Sequence, residues 1–361
     1  MLKTATTTAR PTRASVLNDV NAALATFFEE RIRRSAHIAG SYERLWQDVA
    51  RLNQAGGKRL RPYMAVLGYH AFGGSRHDQI ISVAAAWELL HLSMLIHDDI
   101  IDNDLIRYGV KNIAGSYMDI YDNEPSLERR QHLAASAALL AGDLALSSAY
   151  EIVLDSSELT SEQKLVAQRY LADAIFAVAG GELLDTESTL QTFVTAEPLT
   201  VAAYKTALYS FVGPMSAGAA IAGASVADLD DIRQFGVALG CAFQLVDDML
   251  GIYGDPALTG KSNSGDLREG KRTYILQQAY AMATSSDRQV LDELIGMPDL
   301  NDNECQTLRA VIERSGAKRV CQQQIDEYIR TATDIIDGMN VTSEYKADLH
   351  ELLLVATKRR F

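Results

Sequence analysis

Residues 88 to 104 read ELLHLSMLIHDDIIDND, an apolar stretch that ends in four carboxylates within seven residues. Upstream from Ile80 the apolar residues keep helical spacing with few interruptions, so the segment reads as a helix enclosed by other elements. On such a helix Asp98 and Asp102 stand one turn apart on one face, with Asp99 beside them. Carboxylates that close repel one another unless a cation lies among them, and Mg²⁺ takes carboxylate oxygens together with substrate phosphates. A single acidic cluster reads equally well as a solvated helix end.

A second cluster changes the balance. Phe243-Gln244-Leu245-Val246-Asp247-Asp248 again sets paired aspartates inside an apolar helix, a place where charge is rarely tolerated without partners. Two such pairs on separate helices could face each other across a bundle and clamp a polyanion through bridging metals. Gly56-Gly57-Lys58-Arg59-Leu60-Arg61-Pro62 puts three basic residues beside a glycine pair at a helix start, where backbone N–H groups also favour anions. Arg107 follows the first cluster, Lys205-Thr206 lies on a later helix, and Lys261 and Lys271 follow the second cluster in a loop rich in Gly and Asp. Each alone reads as a surface charge; together they describe a metal-diphosphate cage.

The rest of the chain supports an all-α fold. Helical patterns cover residues 16 to 32, 42 to 52, 61 to 71, 80 to 104, 126 to 153, 161 to 184, 198 to 223, 228 to 253, 270 to 284, 287 to 296, 303 to 336 with a break near Gly316, and 342 to 358. No alternating strand and no fixed-period repeat stands out. With 47% hydrophobic residues, 22% charged and only 7 Pro, the chain reads as a single-domain bundle of about a dozen helices around a deep central cavity, spanning residues 16 to 361 after a disordered leader of residues 1 to 15. A net charge of −13 argues against nucleic acid as a partner. No apolar run approaches the roughly 20 residues of a membrane span, because Glu88 and His91 interrupt the best stretch, so no transmembrane segment is expected. Cys241, Cys305 and Cys321 share no metal-ligand spacing and read as reduced thiols in a cytoplasmic protein.

In order along the chain, GGKRLRP, ELLHLSMLIHDDIIDNDLIRYG, Gly142-Asp143, Lys205-Thr206, FQLVDDMLGIYGD and TGKSNSGDLREGKRT resemble the trans-isoprenyl diphosphate synthase family, also called polyprenyl synthetases. The resemblance implies the isoprenoid synthase fold and a geranylgeranyl diphosphate synthase-like prenyltransferase that joins isopentenyl diphosphate to dimethylallyl, geranyl or farnesyl diphosphate. It implies Asp98, Asp99 and Asp102 as ligands of two Mg²⁺ ions and Asp247 and Asp248 as ligands of a third. Arg107, Lys205 and Lys261 would neutralise the leaving diphosphate, and Lys58, Arg61 and His91 would hold isopentenyl diphosphate. Thr206 and Gln244 would lie near the developing carbocation and Lys271 near the metals; His97, directly before Asp98, reads either as a support of the metal site or as core packing. It also implies a homodimer.

Two positions depart from the family pattern. Tyr108 stands where a second Arg is usual, and Gly251 where a third Asp is usual, which predicts one contact fewer to isopentenyl diphosphate and a weakened third metal site. Ser93 and Met94, five and four residues before Asp98, carry no aromatic plug, so Met94, Leu90 and Trp87 would form the tunnel floor and the product would carry twenty carbons. A class I terpene cyclase would not need Lys58, Arg61 and His91. A non-catalytic partner subunit would be expected to lose the first aspartate cluster, which is intact.

Overall fold

A computed structural model of the protein describes residues 11–254 and 263–357 and is helical almost throughout. The chain clusters into two compact units.

The first unit comprises Met1–Leu171 with Ala217–Gly223. It holds α1 (Arg13–Ala36), α2 (Gly40–Ala55), α3 (Leu60–Ala71), α4 (His77–Ile101), α5 (Ile113–Ile120) and α6 (Leu127–Leu154). At its centre is α4, whose Val83, Ala84, Trp87, Leu89 and Leu90 are fully buried. Ala134, Ala138, Ala141, Ala145 and Ala149 form one buried stripe of α6, and these small side chains let α6 pack closely on α4. Thr12 starts α1 by accepting from the Ser15 N–H, and Asn112 starts α5 by accepting from Gly115.

The second unit comprises Ala172–Ser216 and Ala224–Phe361, and α7 (Ser161–Ser188) runs into it from the first. Pro198 at the first helical position opens α8 (Pro198–Val201), which continues as a π-helical segment Ala202–Val212 and then α9 (Gly213–Ala222), whose residues from Ala217 onward belong to the first unit. The unit also holds α10 (Val226–Tyr253), α11 (Gly265–Glu269), α12 (Tyr274–Met282), α13 (Ser285–Leu294), α14 (Asp302–Ser315), α15 (Ala317–Gly338) and α16 (Ser343–Thr357). Leu245, Val246 and Met249 of α10 share a buried core with Ile275 and Leu276 of α12 and Cys321 and Ile325 of α15. A Cβ at Gly240 would lie 2.4 Å from the Ala207 Cα, so α10 meets the π-helical segment backbone to backbone.

The helical reading holds, with local corrections. Helix α4 ends at Ile101 rather than Asp104, and Asp102 caps it while its N–H still bonds the Asp98 carbonyl at 2.8 Å. The next segment forms a two-residue antiparallel pair, Ile106–Arg107 with Val110–Lys111, too short to leave an alternating pattern. Helix α5 was not anticipated. Helix α12 begins at Tyr274 rather than 270, because Gly270 is left-handed (φ 67°) and Thr273 is extended. At the N-terminus, Arg13, Ala14 and Ser15 are already helical, and residues 1 to 10 of the expected leader lie outside the described residues. The expectation on apolar runs also needs correction: α4, α6 and α10 are each long and apolar enough, by length and composition, to cross a membrane. The most apolar windows of α4 and α10 are each 67% buried inside the protein, and that of α6 is 44% buried. Cys241, Cys305 and Cys321 are free and buried, as their spacing suggested.

Candidate active site

In the first unit the carboxylates at the end of α4 are met by the hairpin that follows. Arg107 Nε donates to Asp99 Oδ1 at 2.6 Å, and Arg107 Nη2 donates to Asp98 Oδ2 at 2.9 Å. Asp99 is 3% exposed, and its Oδ2 is buried with no hydrogen-bond partner. Burial pushes the Asp99 carboxyl up to about 6, against the opposing pull of Arg107. A buried carboxylate oxygen left unbonded is costly without a cation, so this donor set fits a hard divalent metal. His97 Nε2 lies 3.6 Å from Asp143 Oδ1 and packs on Gly142, which accounts for that Gly-Asp pair on α6.

Lys58 lies in the loop before α3 and Arg61 in the first turn of α3. His91 on α4 is held well below the ordinary imidazole range, by burial first and then by the charges of Arg61, Arg107 and Arg59. The charges of all three arginines therefore reach His91. Arg59 itself is turned inward: it pairs with Glu88 of α4 and donates to the Asn53 carbonyl and, at 3.1 Å, to Asn21 Oδ1. Among the expected chain-length residues, Trp87, Leu90 and Ser93 are fully buried, whereas Met94 is half-buried.

In the second unit the close approach at Gly240 places Thr206 on α10. The Thr206 hydroxyl donates to Gln244 Oε1 at 2.6 Å, and Gln244 Nε2 donates to Asp248 Oδ1 at 2.8 Å. The Asp248 carboxyl is held well above the usual range, by burial first and then by the negative charge of Asp266. Asp266 was not singled out in the sequence. A Cβ at Gly251 would lie 2.3 Å from its Oδ2, so the Asp266 carboxylate fills the space of the side chain that Gly251 lacks. Lys205 Nζ donates to Asp185 Oδ2 at 2.6 Å and to Glu182 Oε1 at 3.0 Å, two further acids that sequence reasoning missed. Lys271 pairs with Glu269 at 3.1 Å. Lys261 lies outside the described residues.

Among the described residues no three His, Cys, Asp or Glu side chains are grouped to hold a metal by themselves. A groove of about 360 Å³ against Val246, Ile325, Ile329 and Leu353 includes none of these side chains.

An almost wholly helical chain whose first aspartate pair is met by Arg107 and keeps a buried, unbonded oxygen, and whose second pair is bonded through Gln244 to Thr206, next to Lys205, is of the class that binds metal and diphosphate together. The sequence profile described as polyprenyl synthetase matches residues 43–312. A geranylfarnesyl diphosphate synthase of Aeropyrum pernix is 33% identical over 309 residues, covering 84% of this chain and 90% of its own. A geranylgeranyl diphosphate synthase of Sulfolobus acidocaldarius is 28% identical over 327 residues, covering 90% and 93%. The structure of a geranylgeranyl pyrophosphate synthase from Corynebacterium glutamicum, complexed with isoprenyl diphosphate and magnesium, superposes with a TM-score of 0.89 at 28% identity, covering 97% of this chain and all of that one. The chain belongs to the polyprenyl synthetase family. It is a magnesium-dependent prenyltransferase that condenses isopentenyl diphosphate with allylic diphosphates.

Proposed function

We propose that the chain makes geranylgeranyl diphosphate, using up to three Mg²⁺ ions held by Asp98, Asp99 and Asp102 and by Asp247 and Asp248. The observation that carries the assignment of the first cluster is the buried, unbonded Oδ2 of Asp99 beside Arg107. Bound Mg²⁺ would supply Lewis-acid stabilisation of the charge that builds on the departing diphosphate. Arg107, Lys205 and Lys261 neutralise the same charge, and Lys205 exchanges Glu182 and Asp185 for phosphate oxygens as it does so. Lys58, Arg61 and His91 hold the diphosphate of isopentenyl diphosphate, and Lys271 borders the metals. Gln244, fixed at both ends of its amide by Thr206 and Asp248, keeps a polar atom beside the carbocation without a nucleophile that would trap it.

Product length follows from α4. Met94 forms the floor, and the fully buried Leu90 and Trp87 one and two turns deeper support it. Relatives that carry geranylgeranyl and geranylfarnesyl diphosphate synthase names favour a product in this range. The chain acts in the cytoplasm as a homodimer, and Leu139 and Leu140, left exposed on α6, supply apolar surface for it.

The test is incubation of the protein with isopentenyl diphosphate, each allylic primer in turn, and Mg²⁺, with products sized by chromatography. A twenty-carbon product that disappears with EDTA supports the reading. A product that stops at fifteen carbons from the dimethylallyl and geranyl primers, with farnesyl diphosphate left unextended, would overturn the tunnel assignment, and no condensation at all would overturn the activity.

A further inference from the structure

We infer that Tyr108 is a positioning residue that clasps the hairpin of Arg107 onto the glycine loop of Lys58, and so sets the spacing of the isopentenyl diphosphate subsite; this rests on the function proposed above.

The hairpin pairs Arg107 with Val110 and turns through Tyr108 (φ 53°) and Gly109 (φ 74°), two left-handed residues in succession. That is the backbone of a tight two-residue hairpin turn, which favours Asn or Gly at the first position and disfavours a bulky side chain. A tyrosine held there must be held by something else. Its ring lies on the backbone of Gly56: a Cβ at Gly56 would meet Cγ, Cδ1 and Cδ2 of Tyr108 at 2.8, 3.0 and 3.1 Å. Tyr108 and Gly56 are therefore matched, and no other residue fits under the ring unless the hairpin moves.

The contact joins two arms of the site. On one side Arg107, the preceding residue, is bonded to Asp98 and Asp99. On the other, Gly57, Lys58 and Arg59 follow Gly56 directly, and Arg59 is anchored through its buried pair with Glu88. Arg61 then opens α3. Burial raises the phenol above its ordinary range, so Tyr108 adds no charge. The usual second arginine would add a cation here. In this chain Lys58, Arg61 and His91 supply the polarity, and the Tyr108 ring fixes their distance from Arg107.

The experiment compares wild type, Tyr108→Ala, Tyr108→Phe and Gly56→Ala in the full chain, by calorimetric titration with isopentenyl diphosphate and by steady-state kinetics. Tyr108→Ala and Gly56→Ala should each weaken isopentenyl diphosphate binding and raise its KM about tenfold, with kcat and the allylic KM within about twofold. Tyr108→Phe should behave as wild type, because the ring and not the hydroxyl makes the contact. Should either small variant melt below the assay temperature, Tyr108→Leu, which keeps bulk but not the flat ring, gives the same comparison. Isopentenyl diphosphate affinity unchanged in Tyr108→Ala, or lost equally in Tyr108→Phe, overturns the inference alone. Wild type that binds no isopentenyl diphosphate overturns the functional reading and the inference with it.

Discussion

The hydroxyl of Thr206 and the side-chain carbonyl of Gln244 are joined by a 2.6 Å hydrogen bond, which fixes the amide so that its nitrogen is directed to Asp248. The bond forms because Ala207 approaches Gly240 backbone to backbone and brings the π-helical turn down on α10. Thr206→Val keeps the volume but leaves a part-buried amide oxygen without its donor, at a cost of about 1–3 kcal/mol. A lower melting temperature and a kcat reduced about tenfold are expected, by calorimetry and steady-state kinetics. An unchanged kcat would remove Gln244 from the catalytic set.

Acid lability should trace in part to His91. Its folded pKa is depressed, by burial and by Arg61, Arg107 and Arg59, so the folded protein refuses a proton that the unfolded chain accepts near pH 6.5. The unfolded state binds more protons in that window, and stability falls as pH drops below about 6.5. His70 is depressed as well, chiefly by burial, and contributes in the same direction. Urea unfolding of wild type and His91→Gln between pH 7.5 and 5 should show a shallower loss in the variant; parallel curves would refute the assignment.

Restoring the missing acid of the second motif should not improve the enzyme. In Gly251→Asp the new Cβ would meet Asp266 Oδ2 at 2.3 Å, and the added charge would join Asp247, Asp248 and Asp266. A loss of roughly 1–3 kcal/mol is expected in metal-free protein, from overpacking alone. Pairing it with Asp266→Asn should recover part of the loss, which a double-mutant cycle of melting curves would measure.

Met94→Ala should lengthen the product by one isoprene unit while leaving the fold intact, because Met94 is the half-buried residue above a sealed helix face. Leu90→Ala, by contrast, truncates a side chain with no exposure and should cost about 2–5 kcal/mol. Mass spectrometry of the products and melting curves separate the two effects.

Helices such as α4 and α10 were legible because their apolar runs are long, and the aspartate pairs, Lys58, Arg61 and Lys205 stand out as candidates because motif spacing is written directly along the chain. Helix α5 was not, being eight residues whose start depends on the Asn112 cap. The inward turn of Arg59 and the pairing of Lys205 with Glu182 and Asp185 depend on contacts 20 or more residues apart in sequence, which periodicity does not encode. Gly251 and Tyr108 read as losses in sequence, yet Asp266 fills the space at the first and the ring of the second covers Gly56. Both contacts are tertiary.

The most direct test of the account is the rate of product formation from isopentenyl and farnesyl diphosphates in saturating Mg²⁺, for wild type beside Asp98→Asn. Wild type should form a twenty-carbon diphosphate, and the variant, folded as judged by its melting curve, should lose roughly two to three orders of magnitude in kcat. Asp98→Asn turning over at the wild-type rate would contradict the claim that the carboxylates of α4 carry the reaction.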